Sequence, residues 1–301
     1  MKRNPRPASR ADCVIHELAA IDPAAKIGRG AEIGPFCVVG PHVALGDRCR
    51  LINNVTLWGH TTVGPCCEFF PGCVIGMPPQ DLKFMGEVTY IEIGAHNVFR
   101  EHCTIHPGTE NGGTVTRIGD NNVFLAGVHV AHDCTVGDRC VLANSVQLAG
   151  HVRVESNVTF GGGTGVHHFV TIGKHAFVGG MSRITMDVPP FMISVAARGP
   201  RSEIRMINGV GLQRAGFSET EILALKSAYL RLFSRRARAS GVPIIVNIHR
   251  ILEEASPDPN VDYLCRFLLR SYEHGRHGRY LESLRNDPKW RRPVGSDGKR
   301  S

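Results

Sequence analysis

The sequence predicts a mainly β fold, a solenoid of very short strands followed by a C-terminal helical region. Two observations carry this prediction. Every sixth residue is apolar from Ile15 to Ile75 and again from Ile118 to Ile184. The residue four positions later is usually small, as at Ala25. A six-residue period fits neither an amphipathic helix nor an alternating strand, but it fits a β-solenoid in which each hexad forms one flat face and a corner.

The solenoid is predicted to occupy residues 15–190. Three hexads make one coil, so this stretch holds about ten coils. Glycine often follows the apolar position, as at Gly28 and Gly46, and we expect it to permit the tight backbone of the corner. Residues 1–14 are an N-terminal extension, which is basic and lacks an apolar segment. No secretory signal is therefore expected.

The repeat is interrupted twice. Near residues 77–89 the hexad phase is kept, but Asp81 and Glu87 fall on inward positions, which indicates a loop leaving the wall. Near residues 106–117 the phase slips by one residue across a glycine-rich segment. Loops on the surface of a rigid scaffold commonly carry function, so both are candidate parts of a site.

The C-terminal helical domain is predicted over residues 191–290, because the hexad register stops after Pro189-Pro190. Ser218 and Glu221 form a capping box that opens a helix running to about Arg238. Two further amphipathic helices are predicted from Pro243 to about residue 255 and from Asn260 to about residue 272. Residues 291–301 are predicted to be a disordered basic tail.

Ten cysteines and a formal net charge of +8 require an explanation. Seven of the cysteines occupy the small inward position of the repeat, which favours core packing over disulfides or metal binding. Residues 191–301 contain 20 Lys+Arg and 11 Asp+Glu, so they carry the excess charge. No nucleic-acid recognition motif accompanies that charge. An acidic protein partner is favoured, with Arg235, Arg236 and Arg238 as a candidate patch. No apolar run is long enough to span a bilayer.

Histidines repeat at the spacing of one coil. The pair Gly150-His151 follows His132 by about one coil, and the pair His167-His168 follows one coil later. Residues one coil apart stack at the spacing of neighbouring strands, so these side chains form one outward stripe. The residues alone leave three interpretations open: a solvated histidine face, a histidine general base beside Asp133, or a zinc site completed across a subunit boundary.

Longer sequence segments favour one of these three interpretations. HVAHDCTVGDRCVLAN begins at His129, QDLK spans 80–83, TIHPGT spans 104–109 and DVPP spans 187–190. Together they resemble the acyl-(acyl carrier protein)–UDP-N-acetylglucosamine O-acyltransferases of lipid A biosynthesis, a family of hexapeptide-repeat acyltransferases. The resemblance extends from about residue 15 to 290. It implies a left-handed parallel β-helix with three faces per coil, assembled as a homotrimer with sites between subunits.

The resemblance also implies a reaction. A 3-hydroxyacyl chain would pass from acyl carrier protein to the 3-hydroxyl of UDP-N-acetylglucosamine, without a cofactor or metal, in the cytoplasm. His132 would act as general base and Asp133 would orient it. The backbone N–H of Gly150 would face the developing oxyanion.

Substrate contacts are implied at ten positions. Asp81 and Lys83 would reach the site from the neighbouring subunit, and Gly180 would leave room for a longer acyl chain. The complete set of implied substrate-binding residues is Gln80, Asp81, Lys83, His129, His151, His167, His168, Gly180, Asn208 and Arg214.

Three departures from the family pattern concern the acceptor. The stretch 194–207 is longer than usual, Ala215 stands where a second arginine is frequent, and His168 stands where glutamine is common. An amide-forming relative that acylates an amino sugar therefore remains an alternative. A zinc-dependent hexapeptide carbonic anhydrase is a second alternative, against which the helical region and the QDLK segment argue. A non-catalytic module that binds the carrier protein is a third.

Overall fold

The computed structural model describes residues 12–196, 202–254 and 258–285. The predicted extension up to residue 11 and the predicted tail 291–301 lie outside these residues. The described chain forms two compact units, 12–134 and 135–285, which are taken in turn. Within the described residues no helix is both long and apolar enough to cross a membrane.

The first unit consists of three parallel sheets of very short strands. Its strands are β1 (Val14–Ile15), β2 (Ala20–Ile21), β3 (Lys26–Ile27), β4 (Glu32–Ile33), β5 (Val38–Val39), β6 (Ala44–Leu45), β7 (Arg50–Leu51), β8 (Thr56–Leu57), β9 (His60–Val63), β10 (Glu68–Phe69), β11 (Val74–Ile75), β12 (Tyr90–Ile93), β13 (Val98–Phe99), β14 (Thr104–Ile105), β15 (Val115–Ile118), β16 (Val123–Phe124) and β17 (His129–Val130). Consecutive strands enter different sheets, in the orders β1-β4-β7-β10-β13-β16, β2-β5-β8-β11-β14-β17 and β3-β6-β9-β12-β15.

Strand pairing confirms the hexad repeat. Ile15 pairs with Ile33 and Ile27 with Leu45, so one coil takes 18 residues. The inward apolar column is buried from Ile27 onward, and Phe69, Phe99 and Phe124 stack on one another at centroid distances of 4.9 and 4.8 Å. The predicted role of the cysteines is also confirmed. Those at the small inward position are buried free thiols: Cys37, Cys49, Cys67, Cys73, Cys103, Cys134 and, in the second unit, Cys140.

Most glycines that follow the apolar positions act differently from the expectation; Gly76, with φ 89°, is the exception. Gly28 and Gly46 do not have positive φ; the left-handed corner position falls on non-glycine residues such as Arg48 (φ 55°) and Cys66 (φ 58°). A Cβ on Gly28 would lie 2.4 Å from the carbonyl carbon of Gly46, and one on Gly46 would lie 2.6 Å from that of Gly64. Glycine is therefore required because successive coils approach closely there, not because it bends the backbone.

Both predicted interruptions are present. Val63 of β9 pairs with Ile93 of β12, so the coil that contains the first loop takes 30 residues, and residues 77–89 form no strand or helix. Ile93 pairs with Ile118, so the next coil takes 25. The second loop is shorter than predicted, because its last residues belong to β15; it spans 106–114 and contains a 3-10 helix, Glu110–Gly112.

The second unit continues the same architecture and then becomes helical. Its strands are β18 (Thr135–Val136), β19 (Val141–Leu142), β20 (Gln147–Leu148), β21 (Arg153–Val154), β22 (Thr159–Phe160), β23 (Gly165–Val166), β24 (Thr171–Ile172), β25 (Phe177–Val178), β26 (Arg183–Ile184), β27 (Met192–Ala196) and β28 (Ser202–Ile207). Within this unit the sheet orders are β19-β22-β25-β27-β28, β20-β23-β26 and β18-β21-β24. The hairpin of β27 and β28 is antiparallel and was not predicted.

In the part of the chain that the structure describes, six helices follow, namely α1 (Gly209–Arg214), α2 (Glu219–Phe233), α3 (Arg235–Ala239), α4 (Ile244–Leu252), α5 (Pro259–Glu273) and α6 (Tyr280–Ser283). The capping box of Ser218 and Glu221 is confirmed at the start of α2. The predicted extension of this helix to Arg238 is wrong, because Ser234 has extended backbone and its hydroxyl accepts the N–H of Ala237, which starts α3 as a new helix.

A partly buried carboxylate ties the last coil of the second unit to its helices. Asp187 accepts the N–H of Thr171 (2.7 Å), the hydroxyl of Ser271 (2.6 Å) and the N–H of Tyr280 (3.0 Å). Burial raises the pKa of Asp187, although these three hydrogen bonds oppose the shift. The DVPP segment therefore anchors the helices as well as ending the repeat.

Candidate active site

Three segments of the first unit turn at the same corner of the β-helix. The first loop follows β11, the second loop follows β14, and residues 131–134 follow β17. These strands are consecutive neighbours in one sheet, since Ile75 pairs with Ile105 and Ile105 with Val130. The fold therefore brings both loops to the corner that holds His132 and Asp133.

His132 and Asp133 form a buried pair. Nδ1 of His132 lies 2.7 Å from Oδ2 of Asp133. The Asp133 side chain has no exposed surface, and that of His132 is 9% exposed. A carboxylate accepts hydrogen bonds, so this contact assigns the proton to Nδ1 and the lone pair to Nε2. A histidine held in this way by a carboxylate is chemically able to serve as a base.

The second loop holds the carboxylate. The backbone N–H and the hydroxyl of Thr109 donate to Oδ1 and Oδ2 of Asp133 at 2.8 and 2.7 Å. The N–H of Asp133 donates to the hydroxyl oxygen of Thr116 at 2.9 Å. Gly112 covers the carboxylate so closely that a Cβ there would lie 1.9 Å from the Asp133 Cγ.

The first loop faces the other nitrogen of the histidine. Oδ2 of Asp81 lies 3.9 Å from Nε2 of His132, while its Oδ1 accepts the N–H of Lys83. The side chains of Gln80 and Lys83 are exposed. Glu87 fastens the loop, because its two oxygens accept the N–H groups of Met85 (2.8 Å) and Glu110 (3.2 Å).

Two further histidines line this corner. His129 Nδ1 lies 2.8 Å from the Thr104 hydroxyl, and its ring meets that of His106 edge to face at 4.9 Å. Burial, followed by the charges of His129 and His132, lowers the pKa of His106 to about 4. Burial and His132 also lower the pKa of His129. Both rings therefore favour the neutral form, which limits positive charge beside His132.

The second unit gathers the other predicted histidines around Phe169. The ring of His151 stacks on that of Phe169 at 4.4 Å and 6°. His167 and His168 are exposed, and their rings meet at 5.5 Å. Gly150, which precedes His151, is buried. The two exposed imidazoles suit contact with an anionic or hydroxylated ligand.

Gly180, Asn208 and Arg214 lie on other elements of this unit. Gly180 is exposed, and a Cβ there would lie 3.1 Å from the carbonyl oxygen of Gly162. Asn208 caps α1, accepting the N–H of Gly211 and donating to the carbonyl of His175. These bonds give Asn208 a structural role whether or not it also contacts a ligand. Arg214 is exposed in the last turn of α1.

Sequence reasoning assigned no role to several residues of the site. Gly112 lacked a pattern of its own, since glycine is ordinary in loops. Thr109 ends the quoted TIHPGT segment, and Glu87 stood out only as a polar residue on an inward position. His106 stood inside the quoted TIHPGT segment, and a histidine so close to the stripe was a usable signal. Phe169 follows His168 directly, and an aromatic residue next to the polar stripe was a weaker signal.

Two family models match the chain. Residues 187–277 match the second domain of UDP-N-acetylglucosamine O-acyltransferase. Residues 116–150 match the bacterial transferase hexapeptide, a model of six repeats. The two matches fall in the helical region and in the β-helix, respectively.

Relatives of known name match over most of their length. An acyl-(acyl-carrier-protein)–UDP-N-acetylglucosamine O-acyltransferase from Nautilia profundicola is 44% identical over 210 residues, 70% of this chain and 78% of the relative. A protein of the same name from Paracoccus denitrificans is 45% identical over 200 residues, 66% and 72% of the two chains.

Solved structures agree with the sequence matches. A crystal structure of a UDP-N-acetylglucosamine acyltransferase superimposes with a TM-score of 0.78 at 42% identity, covering 85% of this chain and 95% of the other. The enzyme from Bacteroides fragilis gives 0.79 at 35% identity, with 85% and 96% covered. These similarities confirm the predicted fold class, a left-handed parallel β-helix of hexapeptide repeats with C-terminal helices.

Proposed function

This chain belongs to the acyl-(acyl carrier protein)–UDP-N-acetylglucosamine O-acyltransferases, and from that premise we propose how its residues perform the first step of lipid A biosynthesis. The enzyme transfers a 3-hydroxyacyl chain from the thioester of acyl carrier protein to the sugar 3-hydroxyl of UDP-N-acetylglucosamine. The geometry of His132 and Asp133 is the observation that carries the mechanism.

His132 is the general base. Asp133 holds Nδ1 at 2.7 Å, so the lone pair of Nε2 points away from the carboxylate. Nε2 removes the proton of the 3-hydroxyl as the oxygen attacks the thioester carbonyl carbon. The tetrahedral intermediate then collapses, the carbon–sulfur bond breaks, and the imidazolium returns the proton to the leaving thiolate. Asp133 stabilises the imidazolium during this cycle.

The remaining assigned residues bind and orient the substrates. The N–H of Gly150 donates to the oxyanion of the intermediate. Asp81 and Gln80 contact the sugar, and Lys83 attracts a phosphate or the donor from the first loop. A larger set binds the nucleotide and acyl chain: His129, His151, His167, His168, Gly180, Asn208 and Arg214.

The carrier protein docks on the basic surface of the helical region. Arg235, Arg236 and Arg238 are exposed on α3, and Arg238 pairs with Glu203 at 3.4 Å. Clustered arginines accelerate the encounter with an acidic partner and make it sensitive to salt. We further propose that the enzyme works as a cytoplasmic homotrimer in which a second subunit completes each site, because one β-helix wall cannot enclose a substrate.

The test is direct. Purified protein is incubated with UDP-N-acetylglucosamine and a panel of 3-hydroxyacyl carrier proteins, and the product is identified by mass spectrometry. We expect one O-acyl group on the sugar and a loss of turnover of roughly 10²- to 10⁴-fold in His132→Ala. His96→Ala, at an exposed corner of the same unit, serves as the control and retains the wild-type rate.

Several results would contradict the proposal. Full turnover by His132→Ala would remove the base assignment. An N-acyl product formed only from an amino-sugar nucleotide would move the enzyme to the amide-forming relatives. Stoichiometric zinc together with carbon dioxide hydration would replace the acyltransferase with a carbonic anhydrase. If the KM for the acyl carrier protein did not rise with ionic strength, docking on the arginine surface would be contradicted.

A further inference from the structure

Thr109 occupies the N-cap position of the 3-10 helix Glu110–Gly112 but does not cap it. In that position a threonine hydroxyl ordinarily accepts an N–H of the first helical turn. Here no side-chain capping bond forms. The hydroxyl instead donates to Oδ2 of Asp133 at 2.7 Å. The usual capping hydrogen bond is therefore missing at Thr109, and departures of this kind from local sequence rules are expected at functional sites.

Thr109 contacts the carboxylate through two donors. Its N–H binds Oδ1 and its hydroxyl binds Oδ2, at 2.8 and 2.7 Å, so the plane of the carboxylate cannot rotate without breaking one of them. Oδ2 is also the atom that receives His132 Nδ1. The direction in which Asp133 presents its acceptor to the imidazole is therefore set by Thr109.

From this geometry we propose that Thr109 is a positioning residue for the acyl transfer, acting on His132 through Asp133. The inference rests on the proposed function, because it concerns the tautomer of the base. With the carboxylate fixed, the imidazole carries its proton on Nδ1 and keeps the lone pair on Nε2. If the carboxylate rotated, the opposite tautomer would gain population, and that form has no lone pair at Nε2.

Loss of the Thr109 hydroxyl should change the kinetics in a specific way. The two tautomers of neutral imidazole bind the same number of protons, so their ratio does not depend on pH. Thr109→Val removes the hydroxyl and retains both the shape and the N–H. We expect kcat to fall roughly 10- to 100-fold, as for other outer partners that orient an imidazole. KM should stay within about twofold, and the loss of kcat should persist on the plateau of the pH–rate profile, because the tautomer ratio is the same at every pH.

Two variants separate this role from a loss of packing. Thr109→Ser restores the hydroxyl and should recover kcat to within about threefold of the wild type. Thr61→Val is the matched control, because Thr61 is equally buried and its hydroxyl donates to the carbonyl of Trp58 outside the site. It should lose a comparable amount of stability and no turnover.

A double-mutant cycle completes the experiment. If Thr109 acts only through Asp133, Thr109→Val should lower kcat no further in an Asp133→Asn background. Additive losses would overturn the inference, as would an unchanged kcat in Thr109→Val or a shifted acidic limb with an unchanged plateau. A wild-type enzyme without acyl transfer would instead contradict the proposed function, so the two failures are distinguishable.

Discussion

The two loops of the first unit leave the β-helix at the same corner, one coil apart, and are built in opposite ways. Leu82 and Met85 in the first loop are 103% and 89% exposed. In the second loop His106, Pro107, Gly108 and Thr109 are all buried. The burial of an inserted segment, and not its length, therefore indicates its role. The first loop leaves most of its side chains exposed, whereas the buried start of the second loop fixes residues of its own wall.

The largest effect is expected at Gly112 in the second loop. In Gly112→Ala the new Cβ would lie 1.9 Å from Asp133 Cγ, so the carboxylate must move. We expect kcat to fall roughly 10- to 100-fold, as when an outer partner of an imidazole is lost. Steady-state kinetics on the purified variant measures this.

Gly86 in the first loop provides the matched glycine. Nothing lies within 4 Å of a Cβ there, and its φ of +93° adds only local backbone strain. Gly86→Ala should therefore keep kcat within about threefold of the wild type. Equal losses in the two variants would show that both loops support the site in the same way.

A smaller effect is expected at Glu87, where the loops meet. Burial alone would raise its pKa, but backbone N–H groups of Glu87, Met85 and Glu110 lower it. Glu87→Ala removes both contacts and frees the loop that carries Asp81, so we expect KM for the sugar nucleotide to rise roughly 3- to 10-fold with little change in kcat.

Glu87→Gln weakens the same contact without removing it. It keeps one acceptor oxygen, so its KM should fall between those of the wild type and Glu87→Ala. If Glu87→Ala lowered kcat and left KM unchanged, the first loop would act on the base like the second. Titrating each variant with UDP-N-acetylglucosamine at saturating donor distinguishes these results.

The smallest effect concerns stability rather than rate. The pKa of His106 is about 4 in the folded protein and 6.5 in a model compound, so between these values the unfolded chain binds the extra proton. The free energy of unfolding should therefore fall as the pH decreases from about 6.5 to 4. His106→Gln should flatten this slope, while His96→Gln, at an exposed corner, should leave it unchanged. Urea unfolding at fixed protein concentration measures the three slopes. Identical slopes would mean that His106 does not contribute.

Local regularity explains what the sequence could predict. Each hexad makes the same contacts as its neighbours, so the inward positions, the buried cysteines and the place of both loops followed from spacing alone. The capping box of Ser218 and Glu221 was equally local. The pairing of His132 with Asp133 followed from adjacency and from the family resemblance rather than from the repeat.

Contacts between distant residues explain what was missed. The role of Gly46 depends on how closely Gly64 approaches it, which a single hexad does not reveal. Thr109 binds a residue 24 positions away, and its spacing from Asp133 is set by an irregular loop. The end of α2 depends on Ser234, whose hydroxyl caps α3. Serine is favoured at caps but also occurs inside helices, so its presence alone did not mark the break.

The coil lengths give the β-helix a rule for accepting new segments. The coil with the first loop exceeds the regular 18 residues by a multiple of six, since Val63 pairs with Ile93 and Leu45 with Val63. An insertion of that size can be deleted without changing the hexad phase, so every later side chain stays on the same face of the β-helix. The second loop does not follow this arithmetic. Its coil of 25 residues is not 18 plus a multiple of six. A replacement for the second loop would therefore need the same one-residue shift of phase, whereas the first loop can change by whole hexads.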